Sequence, residues 1–174
     1  PTASGDYSTA MGYQTTASGY YSTAMGYQTT SSGHYSTSMG RNTTASGQNS
    51  TTMGSGTIAS GNNSTATGYF TTASGNKTTA MGANTTASDY ASLVIGQYNS
   101  SGSSVTNSAT AYNTANTAFV IGNGVDSSNK SDAFKVMFNG DTTVGGDITI
   151  SSDARLKSNI VSLGSTLPKL LQID

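Results

Sequence analysis

Glycine returns at every seventh position through the first hundred residues: Gly5, Gly12, Gly19, Gly26, Gly33, Gly40, Gly47, Gly54, Gly61, Gly68, Gly75, Gly82 and Gly96. Asp89 takes the one place in that series that glycine does not. A fixed period of this kind points to a stacked repeat architecture before any other feature is weighed. Two positions ahead of each glycine the residue is small. It is Ala at 3, 10, 17, 24, 45, 59, 66, 73, 80 and 87, and Ser31, Ser38, Thr52 or Val94 elsewhere. The residue just before glycine alternates. One set is Met11, Met25, Met39, Met53, Thr67, Met81 and Ile95, and the other is Ser4, Ser18, Ser32, Ser46, Ser60, Ser74 and Ser88. The period is therefore 14, made of two seven-residue halves.

Each half reads as a short strand followed by a turn. Threonine suits strands, and glycine is expected to supply the positive φ of a tight corner. Side chains alternate along a strand, so Ala10 faces one way while Thr9 and Met11 face the other. Ala-sized groups recur on one face of both halves, which predicts a thin two-strand coil with alanine inside. The outward faces then differ. Thr16/Ser18, Thr30/Ser32 and Thr44/Ser46 make one face polar. Thr9/Met11, Thr23/Met25 and Thr37/Met39, ending in Leu93/Ile95, make the other apolar. A Met stripe facing water marks a contact surface. The opposite arrangement, Met inside and Ala outside, would also have to bury the Ser column. The 91 residues from Gly5 to Gly96 give six and a half turns. At roughly 4.8 Å per turn they make a rod of about 30 Å.

Composition agrees with a repeat rather than a layered domain. Hydrophobic residues are 33% of the chain and are mostly Ala and Tyr. Leu, Ile, Val and Phe are too scarce to build a conventional core. Charged residues are 9% and the net charge is −1, unlike the high charge typical of disorder. The same balance offers no footprint for nucleic acid or an anionic membrane. Cysteine is absent, so redox compartment is not legible. No apolar run is long enough to span a bilayer, so no direct membrane contact is expected in this segment. The chain starts at Pro1 rather than Met and reads as a piece of something longer.

Repeats such as Ala10-Met11-Gly12 with Ala17-Ser18-Gly19, closed by Ser92-Leu93-Val94-Ile95-Gly96, resemble the YadA-like head of trimeric autotransporter adhesins. The resemblance covers residues 1–100. It implies an all-β fold, a left-handed parallel β-roll (a β-solenoid), with three rolls around an axis. It also implies a surface fibre that attaches to host or environmental material. The expected homotrimer interface is Met11, Met25, Met39, Met53, Met81, Leu93 and Ile95. The family often has Ile where this chain has Met, and Val where it has Thr, which implies a looser interface.

The glycine register stops after Gly96. Residues 101–133 read as a connector, its first part rich in Ser, Asn, Thr and Ala. Strand patterning returns at Ala118-Phe119-Val120-Ile121-Gly122, at Ala133–Phe138, at Thr143-Val144 and at Asp147–Ile150, with Asn139-Gly140 as a turn. Residues 134–150 are expected to form a β neck where three chains interlock. The first hundred residues hold only Asp6, Arg41, Lys77 and Asp89 as charges, and the rest lie beyond.

Residues 151–174 carry the one chemical motif. Ser152-Asp153-Ala154-Arg155-Leu156-Lys157-Ser158-Asn159-Ile160 resembles the opening of the endosialidase-type intramolecular chaperone that ends many phage tail fibres and some bacterial surface proteins. Only its start is present. The resemblance implies Ser152 as nucleophile and Lys157 as its base, with self-cleavage before Ser152. A serine hydroxyl needs a base, and a desolvated lysine serves. From spacing alone the two are ordinary turn residues. Leu163, Leu167, Leu170 and Leu171 have helical spacing, with Ser165 or Thr166 as cap and Pro168 in the first turn, so a C-terminal helix is expected to start here.

Tyrosines recur at turn positions, Tyr7, Tyr21 and Tyr35 in one column and Tyr13, Tyr27 and Tyr69 in another. Tyr7, Tyr13, Tyr21 and Tyr27 are candidate platforms for a surface glycan or a matrix protein. The alternative is a ladder that stiffens the rod. His34 is the only histidine, so no metal site is expected, and no cofactor. Asn-x-Ser/Thr triplets at Asn42, Asn49, Asn76 and Asn84 arise by chance in such a composition. No multiple-turnover enzyme chemistry is expected. The functions left are an extracellular adhesive fibre on a cell surface or a phage-like virion, a structural filament or spacer, and an ice-binding solenoid using the Thr-x-Ser columns.

Overall fold

Strand and turn alternate with the period of the sequence from Thr2 to Gln97 of the computed structural model, which describes residues 1–148. The Met-type half of each repeat forms a five-residue strand that runs through its glycine, and the Ser-type half forms a two-residue strand. In chain order these are β1 (Thr2–Ala3), β2 (Thr9–Tyr13), β3 (Thr16–Ala17), β4 (Thr23–Tyr27), β5 (Thr30–Ser31), β6 (Thr37–Arg41) and β7 (Thr44–Ala45). They continue as β8 (Thr51–Ser55), β9 (Ile58–Ala59), β10 (Thr65–Tyr69), β11 (Thr72–Ala73), β12 (Thr79–Ala83), β13 (Thr86–Ala87) and β14 (Leu93–Gln97). Beyond the repeats come β15 (Thr117–Asn123), β16 (Asp132–Met137) and β17 (Thr142–Val144). No helix occurs among the described residues. The helix expected after Ser165, like Ser152 and Lys157, lies outside them.

The odd-numbered strands from β1 to β13 stack in parallel into a seven-stranded sheet. The even-numbered strands from β2 to β14 stack in parallel into a second sheet, which β15, β16 and β17 extend to ten strands. Every pairing between repeats shifts by 14 residues, as in Met11↔Met25 and Ala17↔Ser31. This is the all-β solenoid of 14-residue turns expected from the sequence. β15 adds to β14 in parallel, with Leu93↔Phe119 and Ile95↔Ile121. The direction then reverses, because β16 and β17 are antiparallel additions.

The lumen holds more than alanine. Ala17, Ala24, Ala45, Ala59, Ala66, Ala73, Ala80, Ala87 and Val94 are fully buried. A second inward column runs beside them: Thr15, Ser22, Thr29, Ser36, Thr43, Ser50, Thr57, Ser64, Thr71, Thr78, Thr85 and Ser92. These residues stand two positions before the small ones, so strand alternation puts both on one face. Burying a hydroxyl costs free energy unless it finds a partner. Ser36, Ser50, Ser64, Thr78 and Ser92 each donate to the carbonyl three residues back, at 2.6–2.8 Å. Thr15, Thr29, Thr57, Thr71 and Thr85 keep their hydroxyls unpaired. Where Ser replaces Ala, the hydroxyls pair: Ser31 with Ser36 at 2.6 Å and Ser38 with Thr43 at 2.7 Å. Thr52 donates to Ser38 at 3.0 Å.

The corners bear out half of the role expected of glycine: Gly12, Gly26, Gly40, Gly54, Gly68, Gly82 and Gly96 of the Met-type halves have φ between 93° and 126°, while the glycines of the Ser-type halves do not. A left-handed residue also stands two positions after each glycine of the series, and it is usually not glycine itself. Tyr7, Gln14, Tyr21, Gln28, Tyr35, Asn42, Asn49, Asn63, Phe70, Lys77, Asn84, Ala91 and Tyr98 all have φ between 42° and 61°. In the Ser-type half, as at Gly19–Ser22, the turn closes with Ser22 N–H donating to Gly19 C=O at 3.2 Å. The glycines of both halves are needed for a further reason. A Cβ on Gly33 would lie 2.0 Å from the carbonyl oxygen of Gly47 in the next turn. Successive turns pack backbone on backbone there, and no side chain fits between them.

Between Gln97 and Thr117 the chain forms no strand, as its composition suggested, yet it is not loose. It folds over the end of the seven-stranded sheet and is fastened by side chains that stand in for backbone. Asp89, fully buried, accepts from the N–H groups of Thr106 at 2.6 Å and Thr117 at 2.8 Å. Asn116 accepts from Ser108 N–H at 2.9 Å and donates to Ser108 C=O at 2.7 Å. Asp132 accepts from the N–H groups of Ser100 and Ser101 at 2.8 and 2.9 Å. The single departure from the glycine register, Asp89, is thus the anchor of this cap.

Candidate functional site

Two exposed features stand out on the rod, an apolar stripe and a tyrosine ladder. The stripe lies on the ten-stranded sheet. Register places Met11, Met25, Met39, Met53, Thr67 and Met81 on successive strands, and Ile95 against Ile121 beyond them. Leu93 pairs with Thr79 on one side and Phe119 on the other. Met11 is 57% exposed, Met53, Met81 and Leu93 are exposed, and Met25, Met39 and Ile95 are half-buried. The alanines of the same strands face the lumen, so these larger side chains have no place within their own coil. Of the seven residues named from the sequence, six form one outward column interrupted by Thr67, and Leu93 lies on the same face in the neighbouring column that ends the series Thr65, Thr79.

The stripe also runs further than the repeats. Phe119 pairs with Val136 and Ile121 with Phe134, and Phe134 pairs with Val144. The Phe119 and Phe134 rings lie 6.0 Å apart, centroid to centroid. All five of these residues are half-buried. Periodicity missed this continuation because β16 and β17 run antiparallel and have no 14-residue counterpart. The apolar composition of Phe119–Ile121 and Phe134–Val136 was its available signal. On the opposite sheet the outward column is Thr16, Thr30, Thr44, Ile58, Thr72 and Thr86, polar but for Ile58.

The tyrosine ladder occupies the first three turns. Tyr7 and Tyr21 stack at 4.7 Å with planes 9° apart, and Tyr21 and Tyr35 at 5.6 Å and 10°. Tyr20 meets Tyr21 edge-on at 4.3 Å and Tyr35 at 6.0 Å. The hydrogen bond with Tyr21, then partial burial and the nearby Tyr35 and Asp6, hold the Tyr20 phenol above its ordinary range. Tyr13 and Tyr27 form a separate stack at 5.1 Å. Tyr69 meets only Phe70, edge-on at 4.6 Å. Both faces of Tyr21 are therefore covered by its neighbours, and the column presents edges and hydroxyls outward. His34 uses Nδ1 to accept from Tyr20 N–H at 3.2 Å, which ties it into the ladder.

Among the described residues no group of three or more His, Cys, Asp or Glu side chains is placed to hold a metal ion. No helix among them is long and apolar enough to cross a membrane. No curated protein matches the chain. A family model does: the YadA head domain repeat (2 copies) matches residues 3–29, 31–57, 45–71 and 73–99.

Proposed function

The chain belongs to the YadA head repeat family, and on that premise we propose that it is one of three identical chains in an adhesive fibre displayed outside the cell. Heads of this family are adhesin-type, surface-exposed modules that form trimers. The observation that carries the reading here is the outward column from Met11 to Ile95 on a coil whose lumen is already full. Burying a methionine or leucine contributes roughly 1.5–3 kcal/mol. Seven such side chains per chain, repeated around an axis, offset the cost of association. Phe119, Ile121 and Phe134 lengthen that seam toward the end of the rod.

Light scattering on the purified protein tests it. The expected molar mass is three times the 17.6 kDa of one chain. A folded monomer would overturn the reading. The ligand we infer is a surface glycan or a matrix protein, met by the turn surfaces that the seam leaves free. Arrays of both classes test this, and a trimer that binds neither is a structural spacer.

The same reading extends to residues 151–174, on the strength of the Ser152–Ile160 string alone. They begin an intramolecular chaperone that templates trimer folding and is then released, as in a tail fibre. Lys157 takes the proton of the Ser152 hydroxyl, whose oxygen attacks the Ser151 carbonyl; the Ser151–Ser152 amide bond breaks, its nitrogen takes the proton from Lys157 and becomes the Ser152 amine, and water opens the resulting ester. In a chain carrying the whole chaperone, the wild type splits before Ser152 and Ser152→Ala stays intact. An uncut wild-type chain removes the proposal without touching the head.

A further inference from the structure

Tyr7, Tyr21 and Tyr35 are more crowded with one another than an adhesive or spacing role requires. They sit at equivalent corners of three successive turns, each in the left-handed region, with φ of 58°, 52° and 58°. Their rings are nearly parallel at 4.7 and 5.6 Å. They are also open to reagents: Tyr7 is 74% exposed, and Tyr21 and Tyr35 are about half exposed. The chain has no cysteine, so no disulfide ties one turn to the next. Each of these links between turns spans 14 residues, a loop length at which a covalent bond markedly restricts the unfolded chain.

We propose that this ladder is an oxidative cross-linking site, at which a peroxidase-type oxidant using hydrogen peroxide joins Tyr21 covalently to Tyr7 or Tyr35 as a dityrosine. Each phenol gives up one electron and one proton. The two phenoxyl radicals combine through their ortho carbons, forming one carbon–carbon bond. The two ring hydrogens at those carbons then move to the phenol oxygens and restore aromaticity. Two hydrogen atoms leave the chain for each link, and one hydrogen peroxide becomes two waters. The stacked geometry holds the partner ring in place while the radical lives, which favours coupling within the chain over collision between chains.

The molecule carries its own controls. Tyr112 is 60% exposed, but its ring partner is Phe138, and Tyr69 pairs with Phe70. Neither has a second phenol beside it. The test is to treat the intact protein with a haem peroxidase and hydrogen peroxide, digest it, and map the products by mass spectrometry. The expected product is an intrachain link from Tyr21 to Tyr7 or Tyr35, two hydrogens lighter than the separate peptides. Tyr21→Phe should remove it and sharply lower the yield of links at Tyr7 and Tyr35, because Tyr20, the phenol left between them, meets both rings edge-on at 5.8 and 6.0 Å rather than stacked. That variant is compatible with the corner, because Lys77 and Ala91 hold the left-handed region at the equivalent position of later turns, with φ of 61° and 57°. Tyr112→Phe should leave the yield unchanged. The proposal is overturned if Tyr21→Phe leaves the yield of links at Tyr7 and Tyr35 unchanged, counted apart from any link within the separate Tyr13–Tyr27 stack. It is equally overturned if Tyr112 or chain-to-chain products form as readily as the ladder product.

Discussion

The side chain of Asn99 is bonded to Thr86 as though it were the next strand of the sheet. Thr86 N–H donates to Asn99 Oδ1 at 2.8 Å, and Asn99 Nδ2 donates back to Thr86 C=O at 2.9 Å. A second bond from Nδ2 to Ser101 C=O at 2.7 Å holds the amide in that pose. β13 is the last strand of its sheet, and an open strand edge is a site for unwanted pairing. Asn99 closes that edge at Thr86 with one side chain, and Gly102 C=O takes the Ser88 N–H beside it at 2.9 Å. Asn99→Asp keeps the acceptor but turns an oxygen toward the Thr86 carbonyl. A loss of about 1–3 kcal/mol in chemical unfolding is expected, with a smaller loss for Asn99→Ser if water re-enters. Equal stability of Asn99→Asp and wild type would show that the mimicry contributes nothing.

The glycine column separates two effects that are usually entangled. Gly33 has no left-handed φ, yet its Cβ would meet the Gly47 carbonyl oxygen at 2.0 Å. Gly140 has φ 93° with nothing within 4 Å of its Cβ position. Gly33→Ala therefore probes stacking alone, and Gly140→Ala probes conformation alone. We expect Gly33→Ala to cost on the order of 3–5 kcal/mol, because two turns must part. Gly140→Ala should cost about 1–2 kcal/mol. Thermal unfolding of the two variants decides it, and the reverse order would refute the packing account.

The lumen makes a less intuitive prediction. Thr29 has no hydrogen-bond partner for its hydroxyl, while Thr43 bonds Ser38 at 2.7 Å. Ala24 stands to Thr29 as Ser38 stands to Thr43, five residues earlier on the same coil. Ala24→Ser thus supplies the missing partner, and it should be neutral or stabilising by up to about 1 kcal/mol. Ala24→Val, which adds volume to a closed lumen, should cost about 1–3 kcal/mol. A Ser variant as damaging as the Val variant would mean that the unpaired threonines are held apart by geometry the repeat cannot adjust.

The repeat was legible because its three markers are each confined to one column: glycine at the stacked backbone, alanine in the lumen, methionine outside. The inward hydroxyl column is just as periodic but was not seen. Ser and Thr fill almost every other position, and Thr15 looks no different from the outward Thr16. The left-handed residues beyond each glycine are hidden for a related reason. Tyr21, Gln28 and Lys77 have no intrinsic leaning to the left-handed region, and tertiary stacking imposes it on them. The cap was hidden because Asp89, Asn99 and Asn116 replace backbone partners with side chains, and polar composition alone reads as loop. The outward Met column, by contrast, follows from alternation once alanine is placed inside.

That column gives the most direct test of assembly. Met39 lies mid-stripe and half-buried, with Met25 and Met53 on the neighbouring strands. Ile58 is exposed on the opposite sheet, in the column of threonines. Met39→Glu would place a carboxylate in a seam shared by three chains, without partners and near its own copies. Desolvating such a charge costs several kcal/mol per chain. The carboxylate points away from the lumen, so the coil itself should stay folded, with an unchanged β signal in circular dichroism. Light scattering should then report a single chain for Met39→Glu and an unchanged assembly for Ile58→Glu. If Ile58→Glu dissociates the protein and Met39→Glu does not, the chains meet through the threonine face, and the Met stripe is free to face something else.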